Sequence, residues 1–282
     1  MKTFYLKSKT VSKTTRIVHI SDSHLIVPDK ADGDLYKKEK ERKVFFEREA
    51  LCRTGEVHYA EEKLAEAVDY AKGADLTVFT GDIIEFPTLA NVKKMSEYFA
   101  KTKDYIYTYG NHDYANWLKS VPKQQQKEEN TPLFQQYIAN DLEIAVKEVN
   151  GVKVVGLDNS CFQFTQRQLE ELKKIFEEGK DVILAMHIPL EHPSLHIIGY
   201  QKVNQMAEAC GTDYNLSSDA YANETTKAVI ALIKEKHEQV LALLVGHVHF
   251  DAVVPYYNNM VQYICLPTYL NDFYEFIIEK AE

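Results

Sequence analysis

The chain has 282 residues, of which 45% are hydrophobic, and this length allows one large domain or two small ones with a substantial core. Its formal net charge of −9 argues against a general nucleic-acid-binding protein, because such proteins usually present a basic surface. An acidic protein can still bind phosphorylated substrates if metal ions supply local positive charge.

The cysteines and the hydropathy pattern exclude further classes. The four cysteines, Cys52, Cys161, Cys210 and Cys265, are far apart and form no CxxC pair, which favours reduced thiols over a disulfide framework or a thiolate zinc site. Residues 1–16 are polar and lysine-rich, and no apolar stretch approaches the roughly 20 residues of a transmembrane helix. We therefore expect a cytoplasmic protein without membrane partners.

The first half of the chain alternates apolar runs with helical patterns. The β-branched run at residues 16–21 predicts a buried first strand. The following elements are predicted as a helix over 56–72 that ends at Gly73, a strand over 75–80, a helix over 88–100 and a strand over 105–109. This order is typical of parallel β-α-β units.

The second half begins with a hairpin. Asn150-Gly151 is a strong type I′ turn signal between strands predicted over 143–149 and 152–157. The remaining elements are predicted as a helix over 165–178 with Thr165 as N-cap, a strand over 181–186, a helix over 223–237, and strands over 240–245, 252–255, 260–265 and 273–278.

Three irregular, polar stretches interrupt this pattern, at residues 25–54, 114–140 and 191–222. We predict that they are insertions, the first of them a long loop or partly helical segment. The chain shows no internal repeat and no linker. It is therefore predicted as a single α/β (α+β) domain over residues 1–282, with two packed sheets flanked by helices.

Five short segments with polar side chains follow apolar, β-rich runs. They are Asp22-Ser23-His24, Gly81-Asp82-Ile83-Ile84-Glu85, Gly110-Asn111-His112-Asp113, Met186-His187-Ile188-Pro189 and Gly246-His247-Val248-His249. Side chains from several strand ends converge at one edge of an open α/β sheet. A mixture of carboxylate, amide and imidazole ligands suits Mn²⁺, iron or Zn²⁺ better than Mg²⁺ or Ca²⁺, which prefer all-oxygen ligands.

Each segment alone is ambiguous. Asp22 and His24 are two residues apart, a spacing that on a strand would turn both toward one ion, but Asp-x-His also occurs in ordinary polar loops. Gly-Asp is a common turn signal, and a solitary histidine such as His187 is often structural. His247 and His249 favour a metal more strongly, because they repeat the two-residue spacing after the most hydrophobic strand.

Together the segments resemble the calcineurin-like metallophosphoesterases, which carry Asp-x-His, Gly-Asp-x-x-Asp, Gly-Asn-His-Asp/Glu, His and Gly-His-x-His in this order. The likeness extends from Ile17 to His249. It implies a four-layer architecture, in which a two-sheet β-sandwich is flanked by helices, and a two-metal site that hydrolyses phosphoric esters.

The resemblance also implies a role for each residue. Asp22, His24 and His249 would hold one metal, Asp82 would bridge, and Asn111, His187 and His247 would hold the second. His112 would protonate the leaving group, and Glu85 would orient the His112 imidazole. The family usually has the shorter Asp at the position of Glu85. Two cations would bind a phosphate, generate a metal-bound hydroxide near neutral pH and stabilise an in-line transition state.

Three further residues are candidate substrate contacts. Tyr114 directly follows the Gly-Asn-His-Asp turn, and His192 and His196 lie in the third irregular stretch, shortly after His187. Asp113 is expected to support the turn rather than to take part in the chemistry.

The remaining histidines are not expected to take part in the chemistry. His19, inside the first strand, is predicted to be buried, whereas His58 and His237 lie on predicted helices and are expected at the surface.

These features predict a dinuclear-metal-dependent hydrolase, either a phosphomonoesterase or a phosphodiesterase, of small or nucleotide-like phosphate esters. The acidic charge argues against stable nucleic-acid binding. Two alternatives stay open: a catalytically inactive interaction module on the same fold, and a metal-dependent hydrolase of substrates other than phosphates. The natural substrate and the oligomeric state are not indicated by the sequence.

Overall fold

The computed structural model describes residues 1–116, 120–210 and 222–282. Within these ranges, eleven strands form two mixed sheets and seven α-helices cover them. Residues 117–119 and 211–221, which belong to the second and third predicted insertions, lie outside the described part of the chain.

The first sheet has five strands in the order β1-β11-β2-β3-β4. They are β1 (Lys2–Ser8), β11 (Tyr274–Lys280), β2 (Thr15–Ile20), β3 (Leu76–Phe79) and β4 (Tyr105–Tyr107). Strands β2, β3 and β4 are parallel, whereas β11 runs antiparallel to β2 and parallel to β1. The carboxyl ends of β2, β3 and β4 therefore meet at one edge of this sheet.

The second sheet has six strands in the order β5-β6-β7-β8-β10-β9. They are β5 (Ile144–Val149), β6 (Val152–Leu157), β7 (Val182–Ala185), β8 (Val240–Val245), β10 (Met260–Ile264) and β9 (Ala252–Tyr257). Strands β6, β7, β8 and β10 are parallel, and antiparallel partners close both sides. The carboxyl ends of β7 and β8, like those of β2 and β3, carry predicted ligands.

Within the described ranges, seven helices surround the two sheets. They are α1 (Asp34–Thr54), α2 (Ala60–Ala71), α3 (Leu89–Phe99), α4 (Lys123–Gln135), α5 (Gln166–Glu177), α6 (Pro193–Cys210) and α7 (Glu224–Glu235). Apolar residues of α2, α3 and α4 pack with the outer face of the first sheet, and those of α5 and α7 pack with the outer face of the second. Both faces of the central strands are thus buried, which explains their continuous apolar runs.

A separate apolar layer fills the space between the sheets. Along β2, Ile17 belongs to this inner layer and Val18 to the layer under the helices, as expected for side chains that alternate between the faces of a strand. The layers from outside to outside are helix, sheet, sheet and helix. The predicted four-layer α/β sandwich is confirmed.

Local sequence signals account for several element boundaries. Asn150 and Gly151 have φ angles of 50° and 91°, as a type I′ turn requires, and the predicted hairpin joins β5 to β6. Thr165 caps α5 in a capping box with Gln168, and the Asn223 side chain caps α7.

Four described elements differ from the sequence prediction: strand β1, and the helices α1, α4 and α6, which lie in the three stretches interpreted as irregular. Residues 2–8 form the edge strand β1, in which Lys2 and Lys7 are exposed while Leu6 is buried, so its polar composition concealed a strand. The first irregular stretch contains the 21-residue helix α1, whose few buried apolar positions are separated by charged residues.

The described cysteine side chains, those of Cys52, Cys161 and Cys265, form no disulfide with one another. In the described ranges, no helix combines the length and apolarity that crossing a membrane requires.

Glu39 on α1 leads to a prediction about stability. Burial, reinforced by the nearby Asp32 and Asp29 carboxylates, raises the pKa of Glu39 from 4.5 to about 7. Since the folded state then holds this proton more tightly than the unfolded chain, folding stability falls as the pH rises from about 4.5 to about 7. We expect Glu39→Gln to raise the melting temperature relative to wild type more at pH 8 than at pH 5.

Glu41→Gln, at an exposed position of the same helix, is the matched control and should show no such pH dependence. Thermal melts at the two pH values provide the measurement. Equal shifts of the Glu39→Gln variant at both pH values would contradict the prediction.

Candidate metal centre

The loops that follow β2 and β3 run side by side beyond the ends of the strands. The amide of Asp22 donates to the Gly81 carbonyl (3.0 Å), and the amide of His24 donates to the Asp82 carbonyl (2.9 Å). Asp22 and His24 therefore lie past the strand. The predicted convergence of these two side chains is observed, but the alternation of a β-strand is not its cause.

The cause is an unusual backbone conformation. Five of the predicted ligands have left-handed φ angles: 51° at Asp22, 46° at His24, 50° at Asp82, 73° at His247 and 54° at His249. This conformation costs a residue with a Cβ atom roughly 1–2 kcal/mol. Strain of this kind persists only where the surrounding structure imposes it, and such residues cluster at functional sites.

Two glycines allow the loops to approach one another closely. A Cβ atom on Gly110 would lie 2.1 Å from the amide nitrogen of Asp82, and one on Gly246 would lie 2.0 Å from the Ser21 hydroxyl oxygen. Any larger residue at either position would push the loops apart. The glycines of the Gly-Asn-His-Asp and Gly-His-x-His segments thus have a steric function at the centre.

The first group of ligand atoms comes from Asp22, His24, Asp82 and His249, and these atoms all lie within 4.8 Å of one another. The Nε2 atoms of His24 and His249 are 3.0 Å apart, and His249 Nε2 is 3.4 Å from an Asp22 carboxylate oxygen. All four side chains are buried.

The second group comes from Asp82, His187 and His247, again within 4.8 Å. Nε2 of His187 lies 3.2 Å from Oδ2 of Asp82, 3.2 Å from Nδ1 of His247 and 3.3 Å from Oδ1 of Asn111. Asp82 belongs to both groups. The structure thus brings all seven predicted ligands together, with Asp82 between two sets.

The chemistry of these atoms fits cations. Nδ1 of His24 lies 2.7 Å from the Glu85 carboxylate and Nδ1 of His187 lies 2.7 Å from the Thr80 carbonyl oxygen, so both nitrogens must carry the proton. The Nε2 atoms therefore face the interior of the centre, where the Asp82 carboxylate, the Asn111 amide oxygen and further imidazole nitrogens lie. Histidines that ligate metals commonly donate their other N–H to a carboxylate or a backbone carbonyl, as these two do.

Glu85 lies behind this centre and joins three side chains. Its Oε2 is 2.7 Å from Nδ1 of His24 and 2.9 Å from Nδ1 of His112, while its Oε1 accepts a hydrogen bond from Nε of Arg42 (2.6 Å). The longer side chain of Glu relative to Asp thus reaches two imidazoles and the guanidinium of α1. The departure from the family's usual residue leaves the contact with His112 in place.

The charges of this cluster reinforce one another. Burial opposes a charge on the His112 imidazole, but the Glu85 and Asp82 carboxylates outweigh it and raise the pKa of His112 above its usual value. Burial likewise disfavours the Glu85 carboxylate, yet His112 and His24 hold the pKa of Glu85 well below its usual range. The pair is therefore arranged as a carboxylate beside a protonated imidazole.

Asp113 supports the centre without facing it. One of its carboxylate oxygens accepts hydrogen bonds from the amides of Asp82 (2.9 Å) and Gly110 (2.7 Å), and the other accepts from the amide of Ile84 (3.0 Å). This carboxylate fastens the loop after β4 to the loop after β3, which is the supporting role expected from the sequence.

The three candidate substrate contacts lie elsewhere. Tyr114 is fully buried, and its hydroxyl donates to the Ser160 carbonyl (3.0 Å), so it belongs to the core of the first sheet. His196 is exposed and pairs with Glu191 near the start of α6, and His192 is half-buried near Tyr256. The contacts described for these two histidines do not involve the metal centre.

The burial of the three histidines not assigned to the site agrees only in part with the sequence prediction. His19 is buried, as predicted, with Nε2 2.6 Å from the Thr80 hydroxyl. His58 is also buried and precedes α2, so its predicted surface position is wrong. His237 is half-buried in a short 3₁₀ helix after α7.

Helix α1 contributes contacts that the sequence interpretation missed. Besides Arg42, the ring of Phe46 stacks on the His24 imidazole at 4.5 Å, and the Arg53 guanidinium donates to the His249 carbonyl. The spacing of 42, 46 and 53 places these residues on one face of a helix, which is the signal that could have identified them. The hydroxyl of Tyr269, 3.3 Å from Nδ1 of His249, was missed as well.

Two solved structures share the architecture. A dimetal phosphatase from Danio rerio aligns with 91% of this chain and 88% of its own length, at a TM-score of 0.51 and 13% identity. A purple acid phosphatase from yellow lupin (Lupinus luteus) seeds aligns with 90% of this chain at a TM-score of 0.52 and 13% identity, and this chain covers 44% of it. At these identities the likeness shows a common fold.

Curated proteins provide no match to this sequence. The sequence pattern of the calcineurin-like phosphoesterases, in contrast, matches residues 15–251. This range contains all five polar segments and most of both sheets, and we conclude that the chain belongs to the calcineurin-like phosphoesterase family.

Proposed function

We propose that this protein is a metal-dependent hydrolase of phosphoric esters that works with two cations. The observation that carries the proposal is the position of Asp82, whose carboxylate belongs to two groups of converging acceptor atoms. Membership of the family supports the reaction class. Small phosphate esters, as monoesters or diesters, are the proposed substrates, because the net charge of −9 disfavours a polyanionic nucleic acid.

The seven ligands divide into two sets around Asp82. Asp22, His24 and His249 would hold one cation with Asp82, and Asn111, His187 and His247 would hold the other with Asp82. Mn²⁺, iron or Zn²⁺ suit this mixture of nitrogen and oxygen donors. When bound, such a pair polarises the phosphate and activates water.

The proton chemistry falls to His112. Its Nδ1 faces Glu85, so Nε2 is the nitrogen available to protonate the departing oxygen. Although burial opposes the charge, the Glu85 and Asp82 carboxylates raise the pKa of His112 and so favour the protonated imidazole. Arg42 holds the far side of the Glu85 carboxylate and thereby keeps it directed at His112. The imidazole is 18% exposed, enough to meet a substrate.

A non-catalytic interaction module is the main alternative. A scaffold would have no need for left-handed backbone at five ligands or for a buried carboxylate fixed between His112 and Arg42. A hydrolase of non-phosphate substrates is the second alternative, and insensitivity of the enzyme to phosphate or vanadate would favour it. The cytoplasmic location stays a prediction from the sequence.

The first test is turnover of p-nitrophenyl phosphate and its bis ester by metal-stripped protein to which Mn²⁺ is added. We expect metal-dependent hydrolysis of at least one ester. Asp82→Asn should abolish it and lower the bound metal measured by mass spectrometry, because the carboxylate shared by both groups is lost. The exposed Asp69→Asn is the control. Absence of turnover together with absence of bound metal would refute the proposal.

His112→Ala separates the proton donor from the ligands. We expect kcat to fall by roughly 10²–10⁴-fold, the usual contribution of general acid catalysis, while the metal content stays at the wild-type value. His237→Ala, on a distant 3₁₀ helix, serves as control. Loss of metal from the His112→Ala protein would show instead that His112 is a ligand.

Arg42→Met tests whether the hydrogen bond from Arg42 orients the Glu85 carboxylate. We expect a lower kcat with an unchanged KM and metal content, because Glu85 loses the contact that directs it toward His112. Arg42→Lys should restore part of kcat, since it keeps the charge without the fixed geometry of the guanidinium. Arg48→Met, at an exposed position of the same helix, should behave as wild type. A change in KM alone would contradict a role in orienting the proton donor.

A further inference from the structure

Phe162 has a backbone conformation that its residue type disfavours. Nine described non-glycine residues have positive φ angles: the ligands Asp22, His24, Asp82, His247 and His249, the turn residues Asn150, Asn258 and Asn271, and Phe162 at 64°. Asparagine tolerates the left-handed region well, but a bulky aromatic residue there is an outlier. Among the described residues, Phe162 alone is strained in this way without being an asparagine or a candidate ligand.

Hydrogen bonds hold the turn that contains Phe162 from two sides. The amide of Phe162 donates to the Asn159 carbonyl (2.7 Å), and the Asn159 side chain exchanges two hydrogen bonds with the backbone of Ile188, at 2.7 and 3.0 Å. On the other side, the buried Tyr114 hydroxyl donates to the Ser160 carbonyl. The segment after His187 and the segment after Asp113 together impose the conformation of this turn.

The strained backbone directs the Phe162 ring toward the centre. Its centroid is 6.0 Å from that of the His247 ring, with an angle of 76° between the planes, and the ring is half-buried. The Lys123 ammonium, at the start of α4, lies 5.7 Å from the same centroid. The half-buried Phe162 ring thus lies beside His247 of the second ligand group, and a positive charge lies near the same ring.

We propose that Phe162 is a specificity-determining residue, whose ring forms the wall on which an aromatic or heteroaromatic group of the phosphate ester packs. The inference rests on the proposed function and adds the class of ester group. Lys123 would attract a negatively charged substrate to this side. Packing of one aromatic ring on another should favour an aromatic ester over an aliphatic one by roughly 3- to 10-fold.

Phe162→Gly is the decisive variant, because glycine adopts the left-handed conformation without strain and the turn keeps its hydrogen bonds. With Mn²⁺-loaded protein, kcat/KM for phenyl phosphate should fall roughly 3- to 10-fold through KM. The value for glycerol 3-phosphate should change less than about twofold, because this ester has no ring to lose. The melting temperature of the metal-free variant should equal or exceed that of wild type.

Two outcomes would overturn the inference: an equal loss of kcat/KM for both esters, or a lower melting temperature with an unchanged ratio between them. Asn258→Gly is the matched control, because it replaces another left-handed residue at an exposed turn far along the chain. It should leave the ratio of the two esters unchanged. Phe162→Leu should give an intermediate ratio.

A binding measurement distinguishes this inference from the proposed function. If wild type hydrolyses neither monoester, calorimetric titration of Mn²⁺-loaded protein with phenylphosphonate and methylphosphonate tests the inference, whereas turnover of p-nitrophenyl phosphate and its bis ester tests the proposed function separately. We expect wild type to prefer phenylphosphonate and Phe162→Gly to lose that preference. Equal binding of both phosphonates by wild type would overturn it.

Discussion

Buried acceptor atoms that converge on one point need a positive charge between them, and the Asp82 carboxylate lies where two such sets of atoms meet. Much of the surrounding structure serves this constraint. Parallel strands of both sheets end at the centre, so ligands from distant parts of the chain arrive from two sides. Glu85 accepts a hydrogen bond from Nδ1 of His24, and the Thr80 carbonyl accepts one from Nδ1 of His187, so the Nε2 atoms of both imidazoles are directed into the centre.

The backbone of the loops holds the ligand side chains in their converging positions as much as the contacts between the side chains do. Left-handed conformations at the ligands are stable only because loops cross at distances that glycine alone permits, as at Gly110 and Gly246. Asp113 then joins two of these loops through three backbone amides. The strain is distributed over several short segments, and each segment restrains its neighbours.

The sequence predicted what depends on local patterns. Apolar runs, the Asn150-Gly151 turn and the Thr165 cap identified most elements of the sandwich, and the five segments identified the residues that converge. Helix α1 was predicted only in part, because its apolar positions are sparse among charges. No local pattern could reveal the pairing of Arg42 with Glu85, which are 43 residues apart.

The residues proposed to contact the substrate were harder to predict, because their positions also depend on contacts between distant parts of the chain. Tyr114 was a natural candidate because of its place beside the Gly-Asn-His-Asp turn, but the packing of α4 and Ser160 encloses it. Phe162 follows no motif, and phenylalanine carries no intrinsic preference for left-handed backbone. Its conformation arises from hydrogen bonds that Asn159 and Tyr114 make across the fold, which only the assembled structure contains.

The strand order of the first sheet has a consequence for how the chain folds. Strand β11 lies between β1 and β2, and Lys2 of β1 pairs with Tyr274, 272 positions later in the sequence. During synthesis, β1 and the edge of β2 that faces β11 therefore have no strand partner until residues 274–280 have been added. Closure of this sheet requires contacts between residues far apart in the sequence, and the exposed Lys2 and Lys7 disfavour pairing of β1 with other chains.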